Sequence, residues 1–253
     1  MDLGLTGRRA IVTGGTRGIG RKTVELLLAE GCHVGFCARQ QDQVDDGVKA
    51  LSDIGPTVIG GVVDVTDSAG LRAWIEATAE ALGGLDIIIA NASALGAGAD
   101  EDAWRNGMEV DVLGTVRAVE AAMPYLEASD AAAIVGIAST GAINTTGDVR
   151  AYGGLKAALI NYLSGLGNNL GPSGIRANTV SPGAIFFEGG VWDIRKQKAP
   201  ERYEATVKRS PMGRLGRPEE VANAVVFLAS PAASYISGTN LIIDGASTTR
   251  VQF

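Results

Sequence analysis

The chain of 253 residues is long enough for one α/β domain or two smaller ones, and its 46 % apolar content can fill a large core. A net charge of −6 without a basic block sets aside nucleic acid and anionic membrane as partners. No apolar run reaches the roughly 20 residues of a membrane span, and no basic stretch followed by an apolar region opens the chain, so no secretory signal is expected. The single histidine, His33, supports neither a zinc site nor a Ser-His-Asp set and is expected to be structural, at a strand edge. Cys32 and Cys37 match no metal spacing; reduced core cysteines in a cytoplasmic protein are expected.

Arg9 to Val12 reads as a strand and Ile19 to Ala29 as a helix, joined by Thr13-Gly14-Gly15-Thr16-Arg17-Gly18-Ile19-Gly20. Further strands are expected at Val34 to Cys37, Val58 to Val63, Ile87 to Ala90, Ile134 to Ala138, Arg176 to Val180 and Leu241 to Ile243. Helical patterns fall near Asp42 to Leu51, Ser68 to Leu82, Ala103 to Leu126, Ala151 to Leu170 and Glu219 to Leu228. Apolar strands alternating with amphipathic helices predict a doubly wound α/β fold, a seven-stranded parallel sheet with helices on both faces. Residues 1–253 are read as one dinucleotide-binding catalytic domain, in which 184–216 break the rhythm and are expected to cover the substrate.

The glycine turn follows a strand and opens a helix, the context in which such a turn holds a dinucleotide. Gly14 permits the tight turn, Gly18 and Gly20 let the backbone approach a pyrophosphate, and the helix N-terminus stabilises its charge. NAD recognition uses an acidic residue at the end of the second strand. Here that place reads Cys37-Ala38-Arg39, so Arg39, with Arg17 from the turn, is expected to face a 2′-phosphate. NADP(H) is therefore the expected cofactor, with NAD(H) as second choice. Tyr152 and Lys156, four residues apart on a helix, share one face. A fixed cation beside a phenol favours its ionised form, and Ser139 lies thirteen residues upstream. This set suits hydride transfer without a metal.

Together with Ser181-Pro182-Gly183 and Ile243-Asp244-Gly245, these motifs resemble the short-chain dehydrogenase/reductase family over nearly the whole chain. The resemblance implies a Rossmann-type fold in which Tyr152 is the acid/base, Ser139 hydrogen-bonds the reacting oxygen, and Lys156 tunes the tyrosine and binds the nicotinamide ribose. It also implies that Thr16 and Ile19 of the turn contact the cofactor, with Asp64 and Val65 at the adenine, Asn91 and Ala92 along the adenosine, and Pro182, Gly183 and Ile185 at the nicotinamide amide. The two long helices are expected to pair with symmetry mates in a homotetramer.

Three departures stand out. Ala90-Asn91-Ala92-Ser93 replaces the family's Asn-Asn-Ala-Gly, and Phe187 replaces a common threonine. Asp111 replaces an asparagine that helps hold a water between the lysine and solvent. Either the backbone carbonyl at 111 does that work, or the carboxylate pairs with Lys156; the first is expected, which makes Asp111→Asn mild and keeps Asp111 among the catalytic residues. Gly153-Gly154 inside the catalytic helix calls for close packing against cofactor or a partner helix. Phe186, Phe187 and Trp192 suggest an apolar substrate wall or the packing of the segment onto the body, while Arg195, Lys196 and Lys198 could meet an anionic substrate but are expected on a solvated helix face. Neither Glu127-Ala128-Ser129-Asp130 nor Gly171-Pro172-Ser173-Gly174 offers the positive charge an acidic carrier protein needs. A small carbonyl compound or secondary alcohol is the expected substrate. The alternatives are a 3-oxoacyl-carrier-protein or acyl-CoA reductase and a noncatalytic nucleotide sensor.

Overall fold

Strands apolar on both faces have to lie between two helical layers. The computed structural model describes residues 2–96, 98–145 and 149–249. Among these, strands β1 (Arg9–Thr13), β2 (His33–Ala38), β3 (Thr57–Val62), β4 (Ile87–Ala90), β5 (Ala133–Ile137), β6 (Arg176–Pro182) and β7 (Asn240–Ile243) form one parallel sheet. Its order is β3-β2-β1-β4-β5-β6-β7. β4, β5 and β6 are buried at every residue, whereas the edge strands β3 and β7 are only partly covered. The order reverses between β1 and β4, which opens a crevice at the carboxyl ends of the strands.

Helices α1 (Gly18–Ala29), α2 (Gln41–Leu51) and α9 (Pro218–Ala229) cover one face, where Val24, Leu27 and Leu28 meet Val221 and Val225. Helices α3 (Ser68–Leu82), α5 (Gly114–Leu126) and α6 (Ala151–Asn169) cover the other, through Leu71, Ile75, Ala118, Ala122 and Leu163. Each fully buried leucine or valine contributes about 1.5–3 kcal/mol.

The helix expected over 103–126 is not uniform. It begins as α4 (Glu101–Gly107), passes through a π-helical turn at Met108–Leu113 and continues as α5. Glycines flank the turn because their neighbours are close. A Cβ on Gly107 would lie 2.4 Å from Leu155 Cδ1, and one on Gly114 would lie 3.0 Å from Val65 Cγ2. Residues 184–216 contain two further helices, α7 (Val191–Lys198) and α8 (Pro200–Arg209). The segment is pinned at its base: Phe186 N–H donates to Gly216 O at 2.8 Å, and Gly216 N–H to Ala184 O at 2.9 Å.

His33 Nδ1 lies 2.9 Å from Thr57 Oγ1, the structural position expected at a strand edge. Both cysteines are buried and free, and burial pushes each thiol up to about 12. Among the described residues no helix is long and apolar enough to cross a membrane, and no cluster could hold a metal.

At the amino ends of the strands, the buried Asp86 gathers the sheet. Its carboxylate accepts from Arg9 Nη2 at 2.8 Å, Arg9 Nε and backbone N at 2.9 Å, and Ser129 Oγ at 2.6 Å. Burial works against the charge, but these hydrogen bonds outweigh it and hold the carboxyl below its ordinary value. A depressed carboxylate stabilises the fold above its unfolded pKa of about 3.9, and that contribution is lost as pH falls through the folded value. Asp86→Asn is expected to cost about 2 kcal/mol at pH 7 and progressively less towards pH 3. Urea midpoints at the two pH values check this; an equal gap at both would show that the charge is not what matters.

Candidate active site

The glycine turn is shaped by steric limits within the protein itself. Gly14 has φ +69°, and a Cβ on Gly20 would lie 2.1 Å from Gly14 O and 2.4 Å from Asn91 Nδ2. Gly20, expected to let the backbone approach a pyrophosphate, is buried and does not line the cleft at the strands' carboxyl ends; what requires a glycine there is the packing of helix on turn. Asn91 at the end of β4 locks this arrangement: its Nδ2 donates to Thr13 O at 3.0 Å and Gly14 O at 2.9 Å. Thr13 Oγ1 in turn accepts from the backbone N–H groups of Asn91 and Ala92. The amide side chain of Asn91 is thus the clamp of the turn.

This turn opens onto a cleft of about 1860 Å³ that runs the width of the sheet's carboxyl edge. One end is lined by Gly14, Thr16, Arg17, Gly18, Ile19, Arg39, Asp64, Val65, Asn91 and Ala92, and the middle by Ser139, Tyr152, Lys156, Pro182, Gly183 and Ile185. Sequence placed all of these in one site, and the fold brings them together. Asp64 Oδ1 accepts from the backbone N and Oγ1 of Thr66; these bonds, with the nearby Arg39 guanidinium, hold its carboxyl below the ordinary range. Asp42 and Asp45 stay outside the cleft, so at the end of β2 it is Arg39 that faces this space, with Asp64 the carboxylate near it. The cradle fits a nicotinamide dinucleotide: the left-handed Gly14 and Gly18 and a helix N-terminus lie where a pyrophosphate would rest.

In the middle of the cleft, Ser139 Oγ accepts from Gly141 N–H at 3.1 Å, which leaves its own proton to donate. A Cβ on Gly141 would lie 3.4 Å from Ser139 Oγ and 3.9 Å from Tyr152 Cδ1, so hydroxyl and phenol ring flank the same residue. Lys156 Nζ lies 5.7 Å from the Tyr152 ring centroid and donates to Ile137 O at 2.8 Å.

Asp111 corrects an expectation. Its carboxylate, and not its backbone carbonyl, meets the lysine: Lys156 Nζ to Asp111 Oδ1 is 2.9 Å, and both side chains are 2 % exposed. The backbone carbonyl accepts from Thr115 Oγ1 at 2.7 Å. Ser93 Oγ donates to Asp111 Oδ1 at 2.5 Å, and Ala94 N–H to Oδ2 at 3.0 Å. Two departures noted separately, Ser93 and Asp111, are therefore one contact. The π turn carries Asp111 into this buried position, a common use of such turns.

Gly153 and Gly154 are accounted for within the chain. A Cβ on Gly153 would lie 2.7 Å from Gly141 O, and one on Gly154 2.6 Å from Trp104 Cη2. Of the three aromatics expected as substrate wall, Phe187 and Trp192 line the cleft and Phe186 does not. Phe186 packs edge-on against Tyr203 with centroids 6.2 Å apart, beneath Lys196. The Phe187 ring lies between Gly18 and Gly190, whose added Cβ atoms would come within 2.7 and 2.8 Å of its Cζ. Arg195 also differs from expectation: it stacks on Trp192 at 4.5 Å and lines the cleft, while Lys196 and Lys198 do not.

A family model described as enoyl-(acyl carrier protein) reductase matches residues 14–248. Isoepoxydon dehydrogenase of Penicillium expansum is 41 % identical over 258 residues, covering 100 % of this chain and 99 % of that protein. Cis-4-hydroxycyclohexanecarboxylate dehydrogenase of Sinomonas cyclohexanicum is 35 % identical over 250 residues, covering 95 % and 96 %. Among solved structures, a short-chain dehydrogenase from Burkholderia cenocepacia in complex with NADP superposes with a TM-score of 0.86 at 31 % identity, covering 96 % of this chain and 99 % of that one.

The Ser93–Asp111 contact generates a double-mutant cycle. Asp111→Asn leaves the Lys156 ammonium buried without its counter-charge, a loss of about 3 kcal/mol. Ser93→Gly is expected to cost at least about 1 kcal/mol less in the Asp111→Asn background than in the parent. Chemical denaturation of the four proteins measures the coupling; strictly additive losses would separate the two residues.

Proposed function

The chain belongs to the short-chain dehydrogenase/reductase family, and we propose that it is an NADP(H)-dependent oxidoreductase interconverting a small carbonyl compound and its secondary alcohol. The observation that carries this reading is the meeting of Ser139, Tyr152 and Lys156 in the same cleft as the glycine turn. A bound nicotinamide would supply or take up the hydride. In reduction, Tyr152 gives its proton to the carbonyl oxygen as charge develops there, and the Ser139 hydroxyl donates a hydrogen bond to the same oxygen. In oxidation, Tyr152 takes the alcohol proton. Two of the three Lys156 N–H donors are committed, to Asp111 and Ile137 O. The third remains for the cofactor ribose, and the ammonium stays beside the phenol. Asp111 acts as a positioning residue, since it reaches the reaction only through Lys156.

Arg39 and Arg17 support a 2′-phosphate, and the NADP held by the Burkholderia relative agrees with that choice. Phe187 offers packing at Gly18 in place of the hydrogen bond of the family's threonine. Phe187 and Trp192 favour a compact apolar substrate, in keeping with the cyclohexane ring named for the Sinomonas relative. Trp104 and Met108, 41 % and 40 % exposed around the start of the π turn, suit contact with further copies of the chain in a homotetramer.

Tyr152→Phe is expected to abolish turnover while leaving the NADPH dissociation constant within about twofold, since only the titrating hydroxyl is lost. Ketone-dependent NADPH oxidation and fluorescence titration check the two halves; more than a tenth of the parent rate would remove Tyr152 from its role. Arg39→Asp is expected to shift the NADPH/NADH ratio of kcat/KM towards NADH by at least tenfold, because a carboxylate there repels the 2′-phosphate and suits a ribose diol. An unchanged ratio would place the phosphate elsewhere.

A further inference from the structure

A chain of net charge −6 has gathered its cations around the cleft. Among the described residues, eight of its 22 basic side chains line that space against two of its 28 acids. Both acids are engaged. Asp64 belongs to the end of the cleft beside Thr66 and Arg39, and Asp244 accepts from the N–H groups of Ala246 at 3.0 Å and Thr248 at 2.8 Å. Cations at the glycine-turn end are used by the cofactor reading above. Those on the covering segment are not.

Three guanidiniums come from separate elements on the substrate side. Arg150 is the N-cap of α6, two residues before Tyr152; Arg195 lies on α7 and Arg202 on α8. Arg195 is half-buried, with its Cζ over the Trp192 ring at 4.5 Å from the centroid. Burial, then the fields of Arg150 and Arg202, disfavours the charge on Arg195. Among the described residues neither Arg195 nor Arg202 makes an ion pair, whereas Arg214 of the same segment is paired with Glu220. Half-buried Arg195 and the exposed Arg202 are like charges within each other's field, and an anion between them would relieve both.

We infer that the substrate is itself an anion, an oxo or hydroxy acid whose carboxylate is held by Arg195 and Arg202 while its carbonyl or carbinol carbon faces Tyr152. A guanidinium fork matches a carboxylate with two parallel hydrogen bonds, and Trp192, Phe187 and Leu95 provide an apolar wall for the intervening carbons. This inference deepens the oxidoreductase reading and rests on it for the position of the reacting carbon. The carboxylate site itself is tested without turnover.

Cyclohexanecarboxylate and cyclohexanecarboxamide are titrated against the NADP-bound protein and followed by the fluorescence of Trp192, with Trp192→Phe as the signal control. The acid is expected to bind at least tenfold more tightly than the amide, and Arg195→Gln or Arg202→Gln to reduce that ratio below three. Equal binding of acid and amide, no binding of either, or a ratio unmoved in both variants would overturn the site. Displacement of the acid by lower concentrations of inorganic phosphate would overturn the carboxylate assignment. NADPH oxidation with 4-oxocyclohexanecarboxylate and its carboxamide forms the second arm, where the acid is expected to have at least a tenfold higher kcat/KM, mainly through KM. Acid-selective binding with neither ketone reduced would sink the substrate claim for this acid class and leave the carboxylate site standing. Reduction of both at equal kcat/KM would sink the anionic substrate and leave the oxidoreductase standing.

Discussion

Taking a carboxylate and an ammonium out of water costs several kcal/mol each, and their attraction offsets that only when the other hydrogen bonds are satisfied. Asp111 and Lys156 meet the condition. Asp111 accepts from Ser93 Oγ and Ala94 N–H, and Lys156 donates to Ile137 O. The pair, 2.9 Å apart, thereby ties together the segment after β4, the π turn, the end of β5 and the first turns of α6. Those four segments carry or support every residue assigned to the chemistry. The π turn is part of the same constraint, because the buried carboxylate lies within it. An asparagine at 111 would keep the shape and lose the charge that makes a buried ammonium tolerable.

Elsewhere the cleft is set by close contact. Gly20 can approach Gly14 only without a side chain, and Asn91 fastens the result to β4. Gly141 and Trp104 press on the catalytic helix at Gly153 and Gly154, which fixes how far Tyr152 stands from Ser139. The 184–216 segment meets the turn through the Phe187 ring, between Gly18 and Gly190, and is joined to the body by the pairing of Ala184 and Phe186 with Gly216. A displacement of the segment therefore reaches Gly18 through packing alone.

The strands were legible because parallel strands buried on both faces read as apolar runs, and Tyr152 with Lys156 because a helical face repeats every three to four residues. The π turn was not, since its wider hydrogen-bonding ring leaves the apolar periodicity of 103–126 nearly intact. Helices α7 and α8 were missed because each is short and polar, and such helices are held by tertiary packing such as Phe186 on Tyr203. That same packing turned Phe186 away from the cleft while leaving Phe187 and Trp192 in it. Ser93 and Asp111 are eighteen residues apart, and their contact exists only once β4 and the π turn are side by side. Each change was visible in the sequence as an isolated departure; the fold makes them partners.

The same ion pair bears on the charge of the cleft. Exposed acids on the outer surface are screened over about 8 Å at physiological salt, so they do little to offset cations clustered within the cleft walls. Arg17 and Arg39 line one end of the cleft, and Arg150, Arg195 and Arg202 the other. Lys156 stands between them on a flexible four-carbon stem. Asp111 pairs with its ammonium at 2.9 Å and Ile137 O takes a second N–H, so the direction of the ammonium is set by the fold itself, apart from the cations that line the two ends.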